Sequence, residues 1–215
     1  MAKFYFYKLT VDDGGAPCVE NGLLSLAICK PMLRSTAEDK TDDIIFGFAA
    51  NSLHADNRLI YIARVTKKLT DGEYFKEQKY KNRKDCIYEW TGKTYKVRAN
   101  AKFHGSDKDL THDLGKSPDF ARANVLLSDD FRYFGGNVPE HYKRRFPNLV
   151  KALAGLKRGH RLHHHPALLG ELQRLWNETR RDYARKVIGK QSQESRCGVS
   201  HRGGGCGVAV PKKNC

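Results

Sequence analysis

Two neighbouring apolar runs stand out along the chain, the second with its apolar side chains alternating. Residues 44–48 (IIFGF) follow Asp42 and Asp43, and residues 59–65 (LIYIARV) follow a polar loop holding Asn51, Ser52, His54, Asp56 and Asn57. Runs of about four to eight β-branched and aromatic residues bounded by Asn and Asp predict paired strands. Residues 3–10 (KFYFYKLT) put rings on both faces, which predicts a central strand. Asp12-Asp13-Gly14-Gly15 is a turn, and residues 23–29 (LLSLAIC) form an apolar run closed by Lys30-Pro31, as a strand or a short buried helix. Residues 35–43 are polar and acidic, hence a loop.

Further along, Thr70 with Glu73 three residues on has the form of a helix cap. Residues 86–90 and 94–99 predict a hairpin around Thr91-Gly92-Lys93, where the glycine suits a positive φ. Residues 104–117 read as a turn-rich loop, 123–127 as a strand, and 129–136 (DDFRYFGG) as an aromatic segment. From Val138-Pro139-Glu140 the chain turns basic and helical. Pro147 starts a helix whose apolar face is Leu149, Val150, Leu153 and Leu156. Residues 159–165 (GHRLHHH) read as a linker. Pro166 opens the longest helix, to about Val187, with a stripe of Leu168, Leu169, Leu172, Leu175, Trp176 and Tyr183. Beyond Gly189 the low apolar content predicts disorder.

Charge changes this picture. Residues 1–142 carry 22 Lys/Arg and 20 Asp/Glu, whereas residues 143–215 carry 17 and 4, so nearly all of the +15 formal charge sits in the last third. Such a segregated positive region attracts polyanions by counterion release; the plain alternative is a solvated, solubilising tail. Lys143, Arg144, Arg145, Lys157, Arg158, Arg161, Arg174, Arg180 and Arg181 suit phosphate backbones, and Lys30 and Arg34, flanking Pro31-Met32, could meet phosphate as well. The first residues lack the apolar run of a secretion signal, and no run reaches the ~18 apolar residues of a membrane span, so a soluble cytoplasmic protein with free thiols is expected.

Few residues suggest catalysis or metal binding. Cys18 would need a nearby base such as His104 or His112 to form thiolate; a small buried cysteine is the plainer reading. Adjacent histidines at 160 and 163–165 diverge rather than converge on a metal. Cys197, His201, Cys206 and Cys215 include zinc-ligand types but match no standard finger spacing. Gly203-Gly204-Gly205 lacks the strand and helix of a phosphate loop. No cofactor is called for. The aromatic residues Phe46, Phe48, Tyr74, Phe75, Tyr88, Trp90, Phe131, Tyr133 and Phe134 fall near strand ends and loops. Most are core, yet two or three lining a pocket would sandwich a base, with Asn51 and Ser52 placed to bond its edge.

Residues 3–34 (KFYFYKLTVDDGGAPCVENGLLSLAICKPMLR), 42–52 (DDIIFGFAANS), 59–75 (LIYIARVTKKLTDGEYF) and 125–136 (VLLSDDFRYFGG) together resemble the nucleotide modification associated domain 2 family, over roughly residues 1–156. That family is similar to the EVE, YTH and ASCH modules of the PUA-like superfamily. The resemblance implies a PUA-like mixed barrel that recognises modified nucleotides or bases and serves systems that modify or restrict DNA. By position it implies an aromatic cage of Phe46, Phe48, Trp90 and Tyr133 with Asn51 and Ser52 as polar readers.

The resulting expectation is an α+β chain: a PUA-like domain at 1–156, a basic helical extension at 157–189 and a flexible tail at 190–215. Its function would be nucleic-acid binding, DNA rather than RNA, with a base in an aromatic pocket and phosphates on Lys30, Arg34, Arg144, Arg145, Arg158, Arg180 and Arg181; partners would include DNA-modification or restriction proteins. The alternatives are an enzyme acting on a nucleotide or base with Cys18, Asp12 or Asp129 as catalyst, and an interaction protein whose basic tail binds an acidic partner.

Overall fold

The computed structural model describes residues 1–137, 142–157 and 159–192. Strands β1 (Phe4–Leu9), β2 (Cys18–Glu20) and β3 (Leu23–Leu26) lead into helix α1 (Pro31–Thr36). Strands β4 (Ile44–Ala49), β5 (Leu59–Arg64) and β6 (Lys67–Leu69) follow, then the short helix α2 (Glu73–Lys76) and the hairpin β7 (Tyr88–Trp90) and β8 (Tyr95–Val97). Helix α3 (Asp107–Leu114), strands β9 (Val125–Ser128) and β10 (Asp130–Tyr133), helices α4 (Tyr142–Arg145) and α5 (Pro147–Ala154), strand β11 (His160–Arg161) and helix α6 (Pro166–Asp182) complete the α+β order.

The described strands form three separate sheets rather than the closed barrel that the resemblance implies. One has the order β10-β5-β4-β1-β11, the second β2-β3-β9-β6, and β7-β8 stands as a two-stranded hairpin. β1 runs parallel to β4; the other pairings in the large sheet are antiparallel. Side-chain alternation explains the open arrangement. Phe4, Phe6, Ile44, Phe46 and Phe48 point to one face, and Tyr5, Tyr7, Leu9, Ile45 and Ala49 to the other. Both faces are apolar, so each needs a cover. Helices α4, α5 and α6 bury the first through Tyr142, Leu149, Leu153, Leu172 and Trp176. The second sheet buries the other through Leu24, Leu26 and Leu126. Its own far side, with Leu69, Val125 and Leu127, packs on α2, α3 and the β7–β8 hairpin.

Glycine enters this framework by close approach at Gly47, the middle of β4. A Cβ there would lie 2.2 Å from the ring of Tyr61 on the neighbouring strand, so any side chain would open the β4–β5 ladder. The β7–β8 turn has Gly92 at φ +88°, as the sequence leads one to expect.

Several local expectations are corrected. Helix α2 is capped by Gly72 in the left-handed region, not by Thr70, whose hydroxyl bonds the Asp71 carboxylate. The expected loop at 104–117 contains α3, held by a capping box in which the Ser106 hydroxyl accepts from the Asp109 N–H and Asp109 reaches back to the Ser106 N–H. The expected linker at 159–165 is bonded into the sheet: β11 pairs with β1, and His164 Nε2 bonds the Phe4 carbonyl at 2.7 Å. Helix α6 ends at Asp182 rather than near Val187, and Leu169, assigned to the apolar stripe, is 40% exposed. Residues 189–192 are ordered against the sheet. Gly136 N–H bonds the Lys190 carbonyl, and Ser192 donates its N–H and hydroxyl to Asp12. The helix opening expected at Val138-Pro139-Glu140 and the tail cysteines lie outside the described residues.

Two buried charges fix the helices. Arg34 on α1 has no solvent access. Its guanidinium donates to the main-chain carbonyls of Cys29 (2.7 Å), Arg122 (3.1 Å), Asn124 and Asp113 (2.7 Å). The Asp113 carboxylate lies 3.8 Å away, itself fully buried. Burial opposes the charge on Asp113, but hydrogen bonding from His104, with the charge of Arg34 and the hydroxyl of Tyr88, outweighs it and holds the carboxyl below its usual range. On the other side of the molecule Glu171 of α6 accepts from Asn148 Nδ2 (2.7 Å) and from the N–H groups of Asn148 (3.2 Å) and Leu149 (2.7 Å). A carboxylate thus closes the first turn of α5, where the helix leaves its N–H groups unpaired.

Two substitutions test these roles. Arg34→Ala strands Asp113 and several buried carbonyls and is expected to cost about 3–5 kcal/mol in chemical denaturation. Arg34→Lys recovers little, since one ammonium cannot span the same fork of carbonyls. Glu171→Ala is expected to cost about 2 kcal/mol, seen as a lower urea midpoint at unchanged slope.

Candidate functional site

A cavity of about 370 Å³ opens between β5, α4 and α6. Its wall is formed by the rings of Tyr142, Phe146 and Tyr183 together with Leu59 and Leu175, and its polar groups are Arg144, Arg145, Glu178, Thr179 and Asp182. The volume falls in the range of small-molecule sites. Its elements are held firmly. The Tyr142 hydroxyl donates to the Asn57 carbonyl at 2.6 Å, and the Arg132 guanidinium donates to the carbonyl of Tyr183. Arg145 bonds Glu178 at 2.7 Å, and the Arg174 guanidinium lies over the Phe146 ring at 5.4 Å. Arg144 and Arg145, expected as phosphate ligands, are therefore brought to one cavity.

The expected base cage is not assembled. Phe46 and Phe48 are fully buried on the helix-facing side of the large sheet, because strand alternation turns even-numbered positions of β4 inward. Tyr133 belongs to the core on the opposite side, and its hydroxyl donates to Asp12 at 2.7 Å. Trp90, on the β7–β8 hairpin, is 38% exposed and packs against Tyr95 with the Lys76 ammonium 5.1 Å from its ring. Asn51 and Ser52 are exposed, with Asn51 Oδ1 accepting from Asn57 Nδ2 at 2.6 Å.

The other expected phosphate ligands divide. Arg34 is a structural cation with no access to a ligand, since its donors are consumed by carbonyls. Lys30 is half-buried, its ammonium 5.1 Å from the Tyr7 ring centre. Arg180 pairs with Asp130 at 3.5 Å and Arg181 with Asp182 at 2.7 Å. Arg158, Cys197, His201, Cys206 and Cys215 lie outside the described residues. Among the described residues no group of His, Cys, Asp and Glu is arranged to hold a metal ion, and no helix is long and apolar enough to cross a membrane.

Cys18 does not meet the needs of a nucleophile. It is 1% exposed, and its thiol donates to Glu20 at 3.6 Å. Burial, with the Asp85 charge adding, pushes its pKa well above the ordinary thiol value. Asp12 is buried and engaged by Tyr133 and Ser192, while Asp129 is exposed and its N–H bonds the Thr66 hydroxyl. Sequence reasoning missed a different group. Cys29 Sγ lies 3.4 Å from His104 Nε2, and His104 Nδ1 lies 2.6 Å from Asp113 Oδ2. Tyr88 donates its hydroxyl to the same carboxylate oxygen at 2.8 Å. The one local signal was the cysteine at the end of an apolar strand run, immediately before Lys30-Pro31.

No curated protein and no solved structure matches the chain. The family model described as nucleotide modification associated domain 2 matches residues 1–189, through β11 and α6 and beyond the span of the sequence resemblance. The chain belongs to the nucleotide modification associated domain 2 family, and by that family's description it is associated with nucleotide modification.

Proposed function

We propose that this domain binds a nucleotide or a base of a nucleic acid, DNA in preference to RNA, in support of nucleotide modification. The observation that carries the reading is the cavity at α4 and α6, where three aromatic rings and two arginines meet. Tyr183, half-buried at the cavity, offers a base an apolar face, with Tyr142 and Phe146 buried behind it, and guanidinium groups match phosphate oxygens in a planar fork. The surrounding segment is suited to a polyanion: residues 143–190 hold 13 Lys/Arg and 3 Asp/Glu. Glu178 and Asp182 temper the charge at the cavity itself, which favours a ligand with few phosphates in the pocket and a longer strand along the flanking cationic surface. The proteins of a DNA-modification or restriction system are the natural partners of such a module.

Titration of the full chain with nucleoside monophosphates and with short single-stranded oligonucleotides, bearing ordinary and modified bases, tests the reading. Arg144→Ala with Arg145→Ala is expected to weaken nucleotide binding about tenfold or more, consistent with about 1.5–3 kcal/mol for charge-assisted hydrogen bonds. Oligonucleotide affinity should fall with salt at a log–log slope of about −0.7 per phosphate contacted. Binding that ignores both the double substitution and the salt concentration overturns the assignment.

A further inference from the structure

We propose that Cys29, His104 and Asp113 form a nucleophilic catalytic centre for transfer or hydrolysis of an acyl group, through a thioester on Cys29. The centre lies on the other side of the large sheet from the cavity and does not rest on the nucleotide-binding reading. Lys30, the residue after Cys29, has its ammonium over Tyr7, on the face opposite to that covered by α4–α6.

The geometry is that of a nucleophile, a base and a group that orients the base. With the Asp113 carboxylate 2.6 Å from Nδ1, the imidazole carries its proton on that nitrogen and leaves Nε2 as acceptor, 3.4 Å from the Cys29 sulfur. The thiol and the imidazole both keep partial access to solvent while the carboxylate has none. Cys29 is half-buried, the His104 side chain is 19% exposed, and Asp113 is sealed. The carboxylate is kept ionised by Arg34, His104 and Tyr88, so it can stabilise an imidazolium without taking its proton.

The backbone adds a second, independent line. Cys29 sits on the turn from strand β3 into helix α1, with φ +56°, followed by Lys30 at +44°, both left-handed and neither a glycine. Such a strand-to-helix turn presents a nucleophile outward in other hydrolytic folds. Here the conformation is fastened from both sides: the Cys29 N–H donates to Asp113 Oδ1 at 2.7 Å, and its carbonyl accepts from Arg34 Nε at 2.7 Å. The same two buried residues that orient the histidine therefore also aim the thiol. Arg34 faces the thiol and Asp113 together, Tyr88 feels the charges of Asp113 and Asp109, and His160 feels that of Lys30.

In the acyl step the thiol proton passes to His104 Nε2 and the S–C bond forms. The tetrahedral oxyanion then collapses, and the leaving group takes the proton from His104. Water, deprotonated by the same nitrogen, hydrolyses the thioester and restores the thiol. An ester, thioester or amide carbonyl fits this sequence, because a histidine beside the sulfur serves both the attack and the departure.

The test uses the full chain. Iodoacetamide alkylation with peptide mapping resolves Cys29 from the other five cysteines. Wild-type Cys29 is expected to react with a pH midpoint below the ordinary thiol value of about 8.5. His104→Gln should slow that reaction at neutral pH and return the midpoint to the ordinary value. With 4-nitrophenyl acetate the wild type should release nitrophenolate and carry an acetyl group on Cys29, and Cys29→Ser or His104→Gln should cut the rate by about 10²-fold, with circular dichroism showing that each variant is folded. An ordinary midpoint that His104→Gln leaves unmoved would reduce the contact to a structural hydrogen bond and overturn the proposal. A reactive Cys29 that never carries an acetyl group overturns the acyl-transfer assignment.

Discussion

A guanidinium without access to water organises one half of this molecule. Arg34 cannot remain charged in the interior unless its donors are matched, and the match is supplied by main-chain carbonyls at residues 29, 113, 122 and 124 together with the Asp113 carboxylate. Those partners come from three separate stretches of chain: the turn into α1, the end of α3 and the approach to β9. No single apolar contact could align them with comparable directionality, since dispersion has none while a fork of N–H groups has fixed angles. Once Arg34 is set, Asp113 is set, and with it the N–H of Cys29, the ring of His104 and the hydroxyl of Tyr88. The polar centre is thus a consequence of how one cation is neutralised.

The helical half follows a different logic. Three helices cover a sheet face rich in phenylalanine, and Glu171 locks two of them together by capping α5. The cationic character of this region is a net property of the segment rather than a row of unengaged side chains. Arg145, Arg180 and Arg181 each have an acidic neighbour, and Arg174 and Arg180 lie over the rings of Phe146 and Trp176. A polyanion approaching this surface meets a positive field whose members would exchange one partner for another, and exchange of that kind contributes more to encounter and selectivity than to raw affinity.

What the sequence made legible is what period and composition encode. The β4–β5 pairing follows from two short runs of β-branched and aromatic residues at 44–48 and 59–65, the second alternating, and α6 from its apolar stripe. The same alternation, read one step further, would have placed Phe46 and Phe48 indoors, because a strand apolar on both faces is covered on both faces. Ser106 and Asp109 carry a capping signature in which the shorter Asp replaces the usual Glu, and it hides α3 in a polar, turn-rich stretch. β11, a two-residue strand, has no periodicity to read. The Cys29–His104–Asp113 group was invisible for another reason. Its members are joined by folding, Cys29 and His104 being 75 positions apart, and nothing local in a lone His or Asp announces a distant sulfur.

The bond between Ser192 and Asp12 spans 180 positions of chain and carries a consequence for biosynthesis. Strand β1 leaves the ribosome well before its antiparallel neighbour β11, the helices over its phenylalanines and the strap that engages Asp12. At roughly 5–20 residues per second, the amino-terminal strand waits about 10–40 s before its final contacts exist. Closure of the large sheet therefore waits for residues 142–192, and until they are made the earlier strands stand with an uncovered aromatic face. With 22 Lys/Arg against 20 Asp/Glu, residues 1–142 have little net charge to repel a second nascent chain, so self-association competes with folding during that interval.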